Sequence, residues 1–279
     1  MNLISTILIS LVKAESNSIY VILGGTSASN SYPLVNQGNI SNSFSYYFKN
    51  NTWLPANNPM PGGDGNGSSV WPSLGKSLQG NVYFYDCAKI NANLPEWSDT
   101  GKYYNWAQTC FNLAGIFSKT KGINYNVLWQ EGPQDNRYSY DSNYFLNTIQ
   151  RLIYNSGLNN NWYISVYTYG GNYGYRYDKV QDIIYLINNN KNVYLGANID
   201  SGCLTYQNLS IPILSNYWLQ SIIESNRNVN IYNLCIGSYN FSNMLFILSI
   251  IFIGISLLFG AIYSCKYYQR RKYYQQLQN

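Results

Sequence analysis

Val21-Ile22-Leu23-Gly24-Gly25-Thr26-Ser27 is an apolar run that ends abruptly in two glycines, a threonine and a serine. A short run of this kind reads as a buried strand, and the glycines mark a sharp turn at its carboxyl end. Residues 19–23, 82–85, 126–129, 162–167 and 193–195 share that character, each brief and rich in β-formers. Between them lie segments with helical spacing. Residues 103–119 put Tyr104, Ala107, Cys110, Phe111, Ala114 and Phe117 on one face, and 144–154, 180–187 and 211–223 behave similarly. Strands alternating with helices predict an α/β fold. The expected architecture is a three-layer α/β/α domain around a mostly parallel five-stranded sheet. Ligands of such sheets sit beyond the carboxyl ends of the strands.

Residues 28–70 break the alternation. They are dense in Asn, Ser, Gly and Pro, with Asn57-Asn58-Pro59-Met60-Pro61-Gly62-Gly63 in their middle. This stretch predicts a long polar loop over the mouth of the site, with disorder as the alternative reading.

The ends of the chain predict a membrane protein. Residues 244–263 are uncharged and almost wholly apolar, and about 20 such residues span the hydrocarbon core as a helix. Lys266, Arg270, Arg271 and Lys272 follow directly, which places residues 264–279 in the cytosol as a basic tail. Residues 1–16 carry a short apolar core and small residues near Ala14, the pattern of a cleaved signal peptide, although no positive charge precedes the core. The expectation is a single-pass type I protein: a lumenal or extracellular domain over 17–235, a linker over 236–243, and the lipid bilayer as partner of 244–263. The formal net charge is +5, and the tail carries most of it. The remainder is nearly neutral, with no basic stripe for nucleic acid.

Cys87, Cys110, Cys203 and Cys235 form an even set outside the membrane, open to two disulfides in any pairing. Cys265 stands alone beside the predicted span. Sequons at Asn39, Asn50, Asn66, Asn208 and Asn240 permit N-glycosylation. The 30 tyrosines are spread along the whole chain, tail included, and read as compositional bias.

Two later segments accompany the opening one: Val127-Leu128-Trp129-Gln130-Glu131-Gly132-Pro133-Gln134-Asp135 and Asp200-Ser201-Gly202-Cys203-Leu204-Thr205. All fall at predicted strand ends. With Cys87-Ala88-Lys89-Ile90-Asn91 and the following Trp97, these blocks resemble the SGNH-hydrolase superfamily, and within it the sialate O-acetylesterase-like domain. The resemblance covers roughly residues 19–223. It implies a carbohydrate esterase without metal or cofactor. Ser27 of Gly25-Thr26-Ser27-Ala28 would stand as nucleophile and Asp200 as the acid of the triad. Gly25, Asn91, Gln130 and Glu131 would stand around the oxyanion pocket.

The departures fall on the chemistry. The chain has no histidine, and Cys203 occupies the position where the resemblance puts the base. A serine hydroxyl needs such a base, and a thiol is a poor proton shuttle. Glu131 stands where an amide would donate to the oxyanion. A carboxylate there repels the developing charge by about 4 kcal/mol at about 4 Å and an effective dielectric near 20. Ile90 and Asn91 replace glycines.

The residues leave alternatives open. Ser27 is a turn hydroxyl or a nucleophile, Asp200 a cap or an acid, Cys203 a disulfide partner or a thiol. The leading expectation is a non-catalytic surface domain that binds a carbohydrate or a protein. The alternative is an active acetylesterase that uses Ser27 with an unusual base.

Overall fold

The structure, a computed structural model, describes residues 17–35, 40–130, 141–167, 177–199 and 210–227. The chain divides into two units, Met1–Leu234 and Cys235–Asn279, and every described residue belongs to the first. Seven strands form one sheet: β1 (Ser18–Gly24), β2 (Ser43–Tyr47), β3 (Thr52–Pro55), β4 (Val82–Asp86), β5 (Tyr125–Gln130), β6 (Asn161–Val166) and β7 (Val193–Asn198). Their order across the sheet is β3-β2-β4-β1-β5-β6-β7. Every neighbouring pair runs parallel except β2 and β3. Among the described residues five helices accompany them: α1 (Trp71–Ser77), α2 (Tyr104–Lys121), α3 (Ser142–Ser156), α4 (Tyr177–Asn189) and α5 (Ile211–Glu224).

The five strands and four of the helices expected from periodicity are present. β4, β1, β5, β6 and β7 have the order of a doubly wound sheet, reversing direction between β1 and β5, where such folds place their ligands. Strand residues are apolar on both faces because helices cover both. Tyr20, Ile22, Phe84, Leu128 and Tyr163 join Trp71 and Leu74 of α1 with Leu214 and Trp218 of α5 in one core layer. On the opposite face Phe111 of α2 packs against Tyr125 and Trp162. Each fully buried large side chain of this kind contributes roughly 1.5–3 kcal/mol.

The sheet corrects the expected strand count. It has seven strands, because the segment read as one long loop folds into the hairpin β2–β3 and ends in α1. The hairpin escaped its pattern because its core-facing positions are serines. Ser43 and Ser45 are buried, and Ser45 Oγ satisfies itself by donating to Pro61 O at 2.6 Å. Trp53 anchors β3, its ring centroid 5.2 Å from Tyr46, 5.0 Å from Tyr85 and 4.7 Å from Phe117 of α2. α1 was missed because it is only seven residues long, too short for a period to show.

Cys87 and Cys110 form a disulfide that ties the end of β4 to α2. The other two cysteines of the expected set, Cys203 and Cys235, lie outside the described residues, as do residues 1–16, the linker, 244–263 and the basic tail. Among the described residues no helix is long and apolar enough to cross a membrane.

Candidate functional site

The site grows from the end of β1. Gly24 has φ +131°, and a Cβ there would lie 2.0 Å from the carbonyl oxygen of Gln130, so only glycine fits this crossing. Gly25 N–H then donates to that same carbonyl at 3.2 Å. The chain turns through a single 3-10 turn, Thr26–Ala28, closed by Ala28 N–H on Gly25 O at 3.0 Å.

Side chains from two elements grip the carbonyls of this turn, and a third element braces one of those side chains. Gln130 Nε2 donates to Ser27 O at 2.6 Å, and Gln130 Oε1 accepts from Trp218 Nε1 at 2.6 Å. Trp71 Nε1 donates to Ala28 O at 2.6 Å. The turn is thus held from β5, α5 and α1. All the groups are buried, where a satisfied hydrogen bond is strong and an orphaned one expensive. Ser27 is 1% exposed.

The segment after β4 runs alongside. Cys87 N–H donates to Ile22 O at 3.0 Å and Lys89 N–H to Gly24 O at 3.1 Å. This brings Asn91 over the turn, where its N–H donates to Thr26 Oγ1 at 2.9 Å. Asn91 has φ +61°, the left-handed region that glycine or asparagine adopts most readily.

Beneath these segments lies a buried acid that the motif reading did not single out. Asp86, the last residue of β4, is 1% exposed, and its Oδ2 has no hydrogen-bond partner among the described residues. Its Oδ1 accepts from Ala88 N–H at 3.3 Å. Burial pushes its carboxyl up to about 8; the Ala88 N–H and Lys89 oppose the shift and Asp64 adds to it. A Cβ on Gly63 would meet Asp86 Oδ2 at 2.3 Å and Asn30 Nδ2 at 2.7 Å, so the 57–67 loop closes directly over the acid. Asn30 clasps that loop through both ends of its amide, Nδ2 to Met60 O and Oδ1 from Met60 N–H. Asp64 Oδ2 accepts from Ile90 N–H at 2.9 Å. A charged residue closing an apolar run, as Asp86 does after Val82-Tyr83-Phe84-Tyr85, is the signal that could have found it.

Of the residues expected at the site, Gly25, Ser27, Asn91 and Gln130 come together at the carboxyl edge of β1, β4 and β5. Gln130 points inward, fully buried, and bonds the turn backbone. Glu131, Asp200 and Cys203 lie outside the described residues, and so do the sequons at Asn39, Asn208 and Asn240. Asn50 and Asn66 are exposed, but Ser68 of the Asn66 sequon is buried. Trp97 and Trp129 are buried and pack edge to face, with centroids 6.0 Å apart. Among the described residues no group of three or more His, Cys, Asp or Glu is placed to hold a metal ion.

No family profile and no curated protein matches the chain. Among solved structures, it is similar to the crystal structure of a protein from Arabidopsis thaliana, with a TM-score of 0.54 at 16% identity over 76% of this chain and 99% of that one. A likeness this remote in sequence describes the fold alone.

Proposed function

We propose that this chain is a membrane-anchored surface protein whose globular part is an SGNH-hydrolase-like domain, sialate O-acetylesterase-like in its motifs, that binds a carbohydrate without hydrolysing it. The observation that carries this reading is the bond from Asn91 N–H to Thr26 Oγ1. An oxyanion hole works through donors held open toward the point where charge will develop. Here the donor at the corresponding position is already satisfied by a neighbouring hydroxyl, and a substrate would have to displace it. The burial of Ser27 and the use of the Gln130 amide as a clamp support the same reading. So does a sequence without histidine, which leaves a serine hydroxyl without its usual proton acceptor.

The test is hydrolysis of p-nitrophenyl acetate by the full chain purified in detergent. The expected result is turnover no faster than buffer, unchanged by Ser27→Ala. Turnover that disappears in Ser27→Ala would establish the rival reading, an acetylesterase with an unorthodox base. The anchor has its own test: the chain should resist alkaline carbonate extraction from membranes, and deletion of 244–263 should release it.

A further inference from the structure

We infer that a polar cleft between the 98–100 loop and α3, separate from the Ser27 turn, is a binding site for a neutral mono- or disaccharide. The inference rests on the carbohydrate-binding reading above and gives it a place. The cleft has a volume of about 420 Å³, within the range of small-molecule sites and of a size for one or two sugar rings.

One wall is a stripe of α3. Tyr144, Asn147, Thr148 and Arg151 line the cleft at helical spacing, while Phe145, Ile149, Leu152 and Ile153 on the other side of the helix are buried in the core. The facing wall is Ser98, Asp99 and Thr100. That loop is rigidly built. The 3-10 turn Leu94–Trp97 is closed by a capping box between Asn93 and Glu96, and Trp97 is buried beneath it. Ser98 Oγ donates to Pro95 O at 2.8 Å, and Gly101 N–H to Ser98 O at 2.8 Å. A helix face that merely meets water has no such opposing wall.

The chemistry of the lining selects the ligand. Asp99 Oδ2 and Arg151 Nη1 form an ion pair across the cleft, each side chain about half exposed. Together they present carboxylate acceptors beside guanidinium donors, which match adjacent ring hydroxyls that both donate and accept. Because the pair is neutral as a unit, an acidic ligand would have to pull Arg151 away from Asp99. A neutral sugar needs only the remaining lone pairs and N–H groups. Asn147, Thr148 and Thr100 add short polar groups. The Tyr144 ring, 37% exposed, supplies a flat apolar face for the C–H side of a pyranose. Among the described residues no aliphatic side chain lines the cleft, which disfavours lipids and other apolar ligands.

The experiment is calorimetric titration of the full chain with lactose, maltose, cellobiose and chitobiose, and with a glucuronate-containing disaccharide as acidic probe. At least one neutral probe should bind at millimolar concentration. Thr100→Trp, on the exposed loop, should fill the cleft and weaken that binding on the order of tenfold or more, and Asp99→Ala should do the same. The inference is overturned if no neutral probe binds, if only the acidic probe binds, or if Thr100→Trp binds like the parent at an unchanged melting temperature. Ester turnover through Ser27 would defeat the non-catalytic reading through a different measurement, so the two failures are distinguishable.

Discussion

The indole N–H of Trp218 donates to Gln130 Oε1 at 2.6 Å, joining α5 to the last residue of β5 inside the buried core. Gln130 passes the contact on through Nε2 to Ser27 O. One carboxamide thus fixes the distance between a helix and the turn that carries the serine.

Replacing Gln130 by leucine keeps most of its volume but strands Trp218 Nε1 and Ser27 O without these partners. Orphaned buried groups cost about 1–3 kcal/mol each. Gln130→Leu should lower stability in urea unfolding by roughly 2–6 kcal/mol. Trp218→Phe, which orphans only the Gln130 oxygen at this contact, should cost less beyond its lost volume. Equal stability of Gln130→Leu and the parent would show that the clamp is idle.

Gly24→Ala should be among the most damaging single changes. The added methyl meets the Gln130 carbonyl at 2.0 Å, and the residue sits at a φ that side chains rarely adopt. Backbone strain and a clash with backbone together should exceed about 3 kcal/mol. The readout is the loss of soluble, cooperatively unfolding protein, whereas Gly115→Ala, whose nearest contact would be 4.0 Å away, should be tolerated.

Asp86 makes stability depend on pH. Its folded-state carboxyl titrates near 8 instead of 3.8, chiefly because burial penalises the charge. Between these values the unfolded chain has released this proton and the folded chain still holds it. Stability from this group is therefore full in acid, falls as pH rises through the window, and levels off above about 8. The slope can reach about 1.4 kcal/mol per pH unit. Asp86→Asn, which cannot ionise, should gain on the parent steadily from pH 4 to pH 8. A stability difference that stays constant with pH would remove the acid from this role.

The disulfide offers a separate test. Cys87 and Cys110 are 23 residues apart, and a closed loop of that size restricts the unfolded chain by roughly 3 kcal/mol. The double variant Cys87→Ala with Cys110→Ala should lose about that much, as should the parent under reductant once the bond opens. Thermal unfolding with and without dithiothreitol would decide.

The central strands were legible because each is buried on both faces and so reads as unbroken apolar sequence; Val21-Ile22-Leu23 and Val127-Leu128-Trp129 are examples. The hairpin was not, since Ser43 and Ser45 turn toward the core and hide the alternation that Phe44 and Tyr46 would otherwise show. At the site, the glycines, Ser27 and Asn91 stood out as residue types. What a sequence cannot display is the use to which a donor is put. Gln130 was placed among the residues around the oxyanion pocket, and its amide instead spans two buried partners that lie 103 and 88 residues away in the chain.

The added hairpin also settles how the sheet stops on that side. Its outermost strand, β3, has four residues, ends in Pro55 and runs opposite to its neighbour. A border so short, with a proline where a donor would be, offers little backbone to a foreign strand. The six parallel strands behind it are long enough to template aggregation, and this small antiparallel rim shields them there from recruiting other chains.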